Sequence, residues 1–117
     1  MNTRVLVVED DALLALDIVR LLEDAGLEVV GPATSVAKAL RLIGDHGCDV
    51  AVLDVNLGKE TSEPIACELQ ARGTPFVVLS GYSSEQHPPG LRGAPVLSKP
   101  ARPSNLVATL LRCVRSV

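Results

Sequence analysis

Aromatic side chains are almost missing from this 117-residue chain, which has one Phe, one Tyr and no Trp. The two are Phe76 and Tyr82. Stacked-aromatic nucleic-acid surfaces, which seat bases on exposed rings, are therefore excluded. An excess of positive charge is also missing. Eleven basic residues stand against fourteen acidic ones, a net charge of −3, and no basic stripe offers a grip on phosphate backbones. A direct nucleic-acid-binding role is not expected. No stretch of about eighteen apolar residues occurs, so no membrane span is expected. The N-terminal apolar run is broken early by Glu9, Asp10 and Asp11, unlike a signal peptide. The three cysteines, Cys48, Cys67 and Cys113, are odd in number and far apart. They suggest neither a disulfide framework nor a zinc site, and read as buried free thiols in a reducing cytoplasm.

What is present is aliphatic. Apolar residues make up 47% of the chain, enough for one domain spanning residues 1–117. Arg4 to Val8, Val50 to Leu53 and Pro75 to Leu79 are short Val-rich runs, too short for helices. They read as strands buried on both faces. Glu28 to Gly31 and Val96-Leu97 are shorter strands, and Pro32 to Ser35 reads as a loop. Between the strands, apolar residues recur at helical spacing: Leu14, Ile18, Leu21, Leu22 and Ala25 before Gly26, then Val36, Ala39, Leu40 and Ile43 after a Ser35 cap. A third helix is expected from about Thr61 to Arg72, with Pro64 in its first turn, after a polar loop from Asn56 to Glu60. Leu106, Val107, Leu110, Leu111 and Val114 mark the last helix. Pro88, Pro89, Gly90, Gly93 and Pro95 leave the fourth helix short or absent. Alternating strands and helices of this kind predict an α/β fold, a doubly wound five-stranded parallel sheet.

Ligands of such sheets bind at the carboxyl ends of the strands. The polar residues there are Glu9, Asp10 and Asp11, then Asp54 and Asn56, then Ser80, then Lys99. Three converging carboxylates repel unless a cation or a lysine relieves them. Mg²⁺ suits such a site, because it binds through one or two carboxylates and accepts phosphate oxygens. Lys99 supplies a fixed charge and Ser80 a hydroxyl, which together cradle a tetrahedral oxyanion.

Val7-Val8-Glu9-Asp10, Leu53-Asp54-Val55-Asn56, Leu79-Ser80-Gly81 and Ser98-Lys99-Pro100 each end a strand. Taken in that order they resemble the motifs of the receiver domain of bacterial two-component response regulators. The resemblance implies a flavodoxin-like strand order 2-1-3-4-5. It implies that Asp54 is the phosphoacceptor, attacking the phosphoryl group of a histidine kinase or phosphotransfer protein. It further implies that Asp10, Asp54 and the backbone carbonyl of Asn56 ligate Mg²⁺, with Glu9 acting through a water. Ser80 would hydrogen-bond a phosphoryl oxygen, Lys99 would pair with Asp54, and the Lys99–Pro100 bond would be cis. Such a chain is a cytoplasmic signalling module, not an enzyme, and a monomer or weak dimer. Its downstream protein partner is unknown.

The chain departs from the family where a rotating Tyr or Phe is usual three residues before the lysine, since Val96 stands there. Thr74 to Tyr82 instead resembles the Pro-Phe-x-Phe-Ala-Thr-Gly-Tyr signature of an atypical alphaproteobacterial receiver subfamily, with Val78, Leu79 and Ser80 at the varied positions. Tyr82 then becomes the switch residue. Asp11 is expected to cap the first helix rather than bind metal. His46, His87, Arg102, Arg112 and Arg115 are expected to face solvent. An aspartate-nucleophile phosphatase would need a second Asp where Asn56 stands, and a carboxamide cannot transfer that proton. A flavin carrier would be repelled by Glu9-Asp10-Asp11. A non-phosphorylated pseudo-receiver, acting purely as an interaction module, stays as the alternative.

Overall fold

The computed structural model describes residues 2–81, 88–91, 93–99 and 101–115. The main sheet is built from β1 (Arg4–Val8), β2 (Glu28–Ala33), β3 (Val50–Asp54), β6 (Phe76–Ser80) and β7 (Val96–Ser98). A small hairpin, β4 (Asn56–Leu57) with β5 (Glu60–Thr61), lies outside it. All pairings in the main sheet are parallel. Its order is β2-β1-β3-β6-β7, the expected 2-1-3-4-5 once the hairpin strands are numbered. The helices are α1 (Ala12–Asp24), α2 (Val36–Asp45), α3 (Glu63–Ala71) and α4 (Pro103–Arg115).

The two-residue period of the strands divides their side chains between two cores. Leu6, Val8, Ala51, Leu53, Phe76 and Val78 face α2 and α3, with Ile43, Ile65 and Leu69. Val5, Val7, Val50, Val52, Val77 and Leu79 face α1 and α4, with Ile18, Leu22, Leu106 and Leu110. Both faces being covered is why these strands read as unbroken apolar runs.

The helix starts follow from their caps. Asp11 Oδ1 accepts the N–H groups of Leu13 and Leu14 at 3.0 and 3.1 Å. Ser35 Oγ accepts from Lys38 N at 3.2 Å. Pro64 sits in the first turn of α3, as expected.

Four expectations need correction. β2 does not stop at Gly31 but runs to Ala33. A register shift between Leu6 and Val8 lets Ala33 pair with Val8, so the strand passes Gly31 (φ +102) and Pro32. The segment after Asp54 is not a plain loop, because Asn56 pairs with Thr61 and Leu57 with Glu60. That pairing consumes Thr61, so α3 begins at Glu63 rather than Thr61. Cys67 is exposed on α3, while Cys48 and Cys113 are half-buried. Burial pushes the Cys48 thiol up to about 11.

Between β6 and β7 the described residues hold a single 3₁₀ turn, Pro89–Leu91. Leu91 is fully buried in the α2–α3 core. Glu63 Oε2 accepts from Gly90 N at 2.8 Å, and Gln70 Nε2 donates to Gly90 O at 3.1 Å. Three contacts thus fasten the turn to α3.

Candidate functional site

β1, β3 and β6 end together, and their pairing register fixes what meets there. Val8 lies beside Leu53, and Asp54 beside Leu79. The residues immediately after β1 and at the ends of β3 and β6 are therefore neighbours: Glu9, Asp54 and Ser80. Glu9 is 1% exposed, Asp54 6% and Ser80 7%, unusual values for residues of these types. The backbone is tied as well, with Glu9 N donating to Ala33 O at 3.0 Å and Val55 N to Leu79 O at 3.3 Å.

β7 delivers the cation. Ser80 pairs with Ser98 in register, and Lys99 N donates to Ser80 O at 2.8 Å. The Lys99 ammonium then reaches back across β6. Its Nζ lies 2.9 Å from Asp54 Oδ2 and 2.9 Å from Glu9 Oε1. One lysine thus bridges two buried carboxylates, as burial of such charges requires. Burial alone would lower the Lys99 pKa, but Asp54 and Glu9 outweigh it and hold the ammonium above its usual value.

Asp10 is exposed at the rim. Its Oδ2 accepts the N–H of Gly58 at 2.9 Å. Ligand atoms of Glu9, Asp10 and Asp54 lie within 4.8 Å of one another. Glu9 carries the cost of this crowding. Burial first, with Asp54 beside it, pushes its carboxyl up to about 7 against the pull of Lys99. For Asp10, burial is outweighed by hydrogen bonds from Glu9 and Gly58, and its pKa falls. An all-oxygen donor set with partly compensated negative charge fits a small hard divalent cation.

The expected residues therefore meet: Glu9, Asp10, Asp54 and Lys99 in direct contact, Ser80 on the adjoining strand end, and Asn56 exposed at the start of the hairpin. Asp11 caps α1 and also donates its N–H to Glu9 Oε2 at 3.1 Å. His46, Arg102, Arg112 and Arg115 are exposed, as expected. Val96, three residues before Lys99, is 41% exposed on β7. Tyr82, His87 and the Lys99–Pro100 bond lie outside the described residues. Two contacts escaped sequence reasoning. Lys99 touches Glu9 directly, and Gly58 holds Asp10. The signal for the second was a glycine in a polar loop, which here has φ +66, a conformation L side chains rarely adopt.

A family model described as response regulator receiver domain matches residues 5–111. The transcriptional regulatory protein PdtaR of Mycobacterium tuberculosis is 35% identical over 81 residues, 68% of this chain and 40% of PdtaR. The chain thus spans well under half the length of that curated relative. In structure it is similar to SdrG from Sphingomonas melonis Fr1, at 40% identity and a TM-score of 0.82 over 97% of both chains. It is also similar to a response regulator protein from Burkholderia pseudomallei, whose structure holds a phosphorylated aspartic acid, a calcium ion and citrate. There the identity is 26% and the TM-score 0.84, over 98% of this chain and 70% of that one. Among the described residues no helix is long and apolar enough to cross a membrane.

Proposed function

This chain belongs to the response regulator receiver family, a family of signalling modules rather than enzymes, and on that premise we propose that it accepts a phosphoryl group on Asp54 from a histidine kinase or phosphotransfer protein. The observation that carries the reading is the Lys99 ammonium, 2.9 Å from each of two buried carboxylates, with Asp10 completing the cluster. Phosphoryl transfer asks a protein chiefly for position and for neutralisation of spreading negative charge. An oxygen of Asp54 attacks the phosphorus of the donor's phosphohistidine. The phosphorus–nitrogen bond breaks, its electron pair returns to the imidazole, and Asp54 becomes an acyl phosphate. Lys99 then exchanges part of its contact with Asp54 for a phosphoryl oxygen, and Ser80 donates its hydroxyl to another.

Asp10 and Asp54 would hold Mg²⁺ directly, the backbone carbonyl of Asn56 would join them, and Glu9 would act through a water. When bound, Mg²⁺ supplies the positive charge that lets the phosphoryl oxygens approach these carboxylates. The structure of the Burkholderia relative holds a phosphorylated aspartic acid and a calcium ion, which supports this assignment by analogy. A protein donor is further supported by α1, where Leu13 is 76% and Leu16 56% exposed just beyond Asp10 and Asp11. The signal passes on through protein–protein contacts.

The test is incubation with acetyl phosphate and Mg²⁺, read by intact-protein mass, with beryllium fluoride as a spectroscopic mimic. Wild type gains one phosphoryl group and Asp54→Asn gains none. An equal gain in Asp54→Asn, or none in wild type, would refute the assignment and leave a pseudo-receiver.

A further inference from the structure

Ser62 stands directly before α3, where a serine ordinarily caps a helix, yet its side chain makes no capping bond. Asp11 and Ser35, which do cap, have the extended backbone that capping needs, with ψ of 112° and 162°. Ser62 has a ψ of 6°. Pro64 lessens the need for a cap, because it brings no N–H to the first turn of α3. The Ser62 hydroxyl is therefore free for other use. It is fully buried, and Oγ donates to Val55 O at 3.3 Å, where Ser62 N already donates at 2.9 Å. Both donors of one residue thus converge on the carbonyl of the residue that follows Asp54.

That carbonyl sets the orientation of the hairpin. The bond from Ser62 N to Val55 O closes the open end of the β4–β5 ladder, one step beyond the Asn56–Thr61 pair. By the alternation of an antiparallel ladder, Asn56 and Thr61 form a non-hydrogen-bonded pair. The N–H and C=O of Asn56 then point away from Thr61, to the outer edge of β4. The Gly58 N–H, two residues on, points to the same edge, and there it meets Asp10 Oδ2 at 2.9 Å. The Asn56 carbonyl is thus turned to the edge that faces Asp10. A ladder of two residues a side does not hold such an orientation alone. A buried hydroxyl, shielded from competing water, supplies the missing fastening.

We propose that Ser62 is a positioning residue of the metal site: its hydroxyl locks the Val55 carbonyl and so keeps the Asn56 carbonyl and the Gly58 N–H turned toward Asp10. The inference rests on the phosphoacceptor reading in taking the carboxylate cluster as a Mg²⁺ site, and it adds a residue that touches neither metal nor phosphoryl group.

The test compares Ser62→Ala with Thr109→Val, which removes another buried hydroxyl, on α4. Mg²⁺ binding is measured by calorimetry, and amide exchange in the metal-free protein. Ser62→Ala should weaken Mg²⁺ binding about three- to tenfold and speed exchange at Gly58 by a similar factor. Thr109→Val should keep both within about twofold of wild type. With acetyl phosphate, the Mg²⁺ concentration giving half the limiting rate should rise in Ser62→Ala, while the limiting rate stays within about twofold. Ser62→Cys keeps a weaker donor and should fall between serine and alanine. Unchanged Mg²⁺ affinity in Ser62→Ala, an equal loss in Thr109→Val, or a lower limiting rate with unchanged half-saturation would overturn the proposal. If wild type binds Mg²⁺ but takes no phosphoryl group, the phosphoacceptor reading fails, and the calorimetry still decides the role of Ser62. Absence of Mg²⁺ binding in wild type would overturn both.

Discussion

Gly58 donates its backbone N–H to Asp10 Oδ2 at 2.9 Å, across 48 residues of sequence. The bond fixes a rim carboxylate that would otherwise swing freely, and it sets Asp10 against Glu9 and Asp54. Gly58 can do this because its φ is +66, with no Cβ to resist that conformation. Nothing lies within 4 Å of where a Cβ would be, so a side chain meets backbone strain but no clash. Gly58→Ala should therefore fold, at a cost of about 1 kcal/mol. Its Mg²⁺ affinity should drop about three- to tenfold as Asp10 loses its fixed position. Titration calorimetry with Mg²⁺ checks this, and unchanged affinity would show that the hairpin does not position Asp10.

Lys99 is the cation held between Glu9 and Asp54. Replacing it with Met keeps the stem and removes the charge. Two buried carboxylates then face each other uncompensated, which should cost on the order of 2 kcal/mol at neutral pH without metal. Loss of a positive charge aimed at the phosphoryl oxygens should also slow acetyl phosphate transfer to Asp54 by about ten- to a hundredfold. Lys99→Arg should not restore the rate, because a planar guanidinium cannot repeat a point charge bridging two oxygens. Time-resolved mass measurement separates these outcomes, and a wild-type rate in Lys99→Met would remove the lysine from the mechanism.

Glu9 makes stability depend on pH in an unusual direction. Burial raises its folded-state pKa from 4.5 to about 7. The folded protein therefore keeps a proton that the unfolded chain has lost. The associated stability is fully present below about 4.5 and lost as pH rises to about 7. Asp10 shifts downward and Lys99 upward, so neither changes charge differently on folding in that window. Metal-free protein should lose on the order of 2 kcal/mol between pH 4.5 and pH 7.5 through this group, and Glu9→Gln should flatten that loss. Mg²⁺ should bind more tightly as pH rises through 7 and should release protons, seen as a buffer-dependent binding enthalpy. Denaturant midpoints across pH test the first half, and a wild-type slope in Glu9→Gln would assign the effect elsewhere.

The large features were readable from residue types because they depend on residue types. A parallel strand covered on both faces must be an apolar run, and a run that ends in Asp, Ser or Lys places that residue at the ligand-binding margin. Glu9, Asp10, Asp54, Ser80 and Lys99 were legible for that reason. The hairpin was not, since Asn56, Glu60 and Thr61 are polar and exposed and pair over only two residues. Its trace was the alternation of buried Val55, exposed Asn56 and buried Leu57. The hold of Gly58 on Asp10 is made by a backbone N–H, which every residue but proline possesses, so side-chain chemistry could not announce it. The passage of β2 through Pro32 depends on a shift in pairing to β1, which is a property of two segments and of neither alone.

The 3₁₀ turn Pro89–Leu91, the one helical element described between β6 and β7, is fastened to α3. Leu91 is fully buried in the α2–α3 core, and Gly90 is held from both sides by Glu63 and Gln70. A Cβ on Gly90 would meet Glu63 Cγ at 2.7 Å, so the staple and a side chain cannot occupy the same space. Gly90→Ala should push Glu63 aside and break its bond to Gly90 N, at a cost of about 1 kcal/mol. Leu91→Ala removes a buried anchor instead and should cost about 2–4 kcal/mol. The two differ in reach. Gly90→Ala should raise amide exchange at Gly90 and Leu91 while leaving β1 and β3 protected. Leu91→Ala should lower protection throughout the α2–α3 core, because Ile65 and Leu69 share its cluster. Hydrogen exchange read residue by residue distinguishes them, and unchanged exchange at Gly90 in Gly90→Ala would show that Glu63 does not hold the turn.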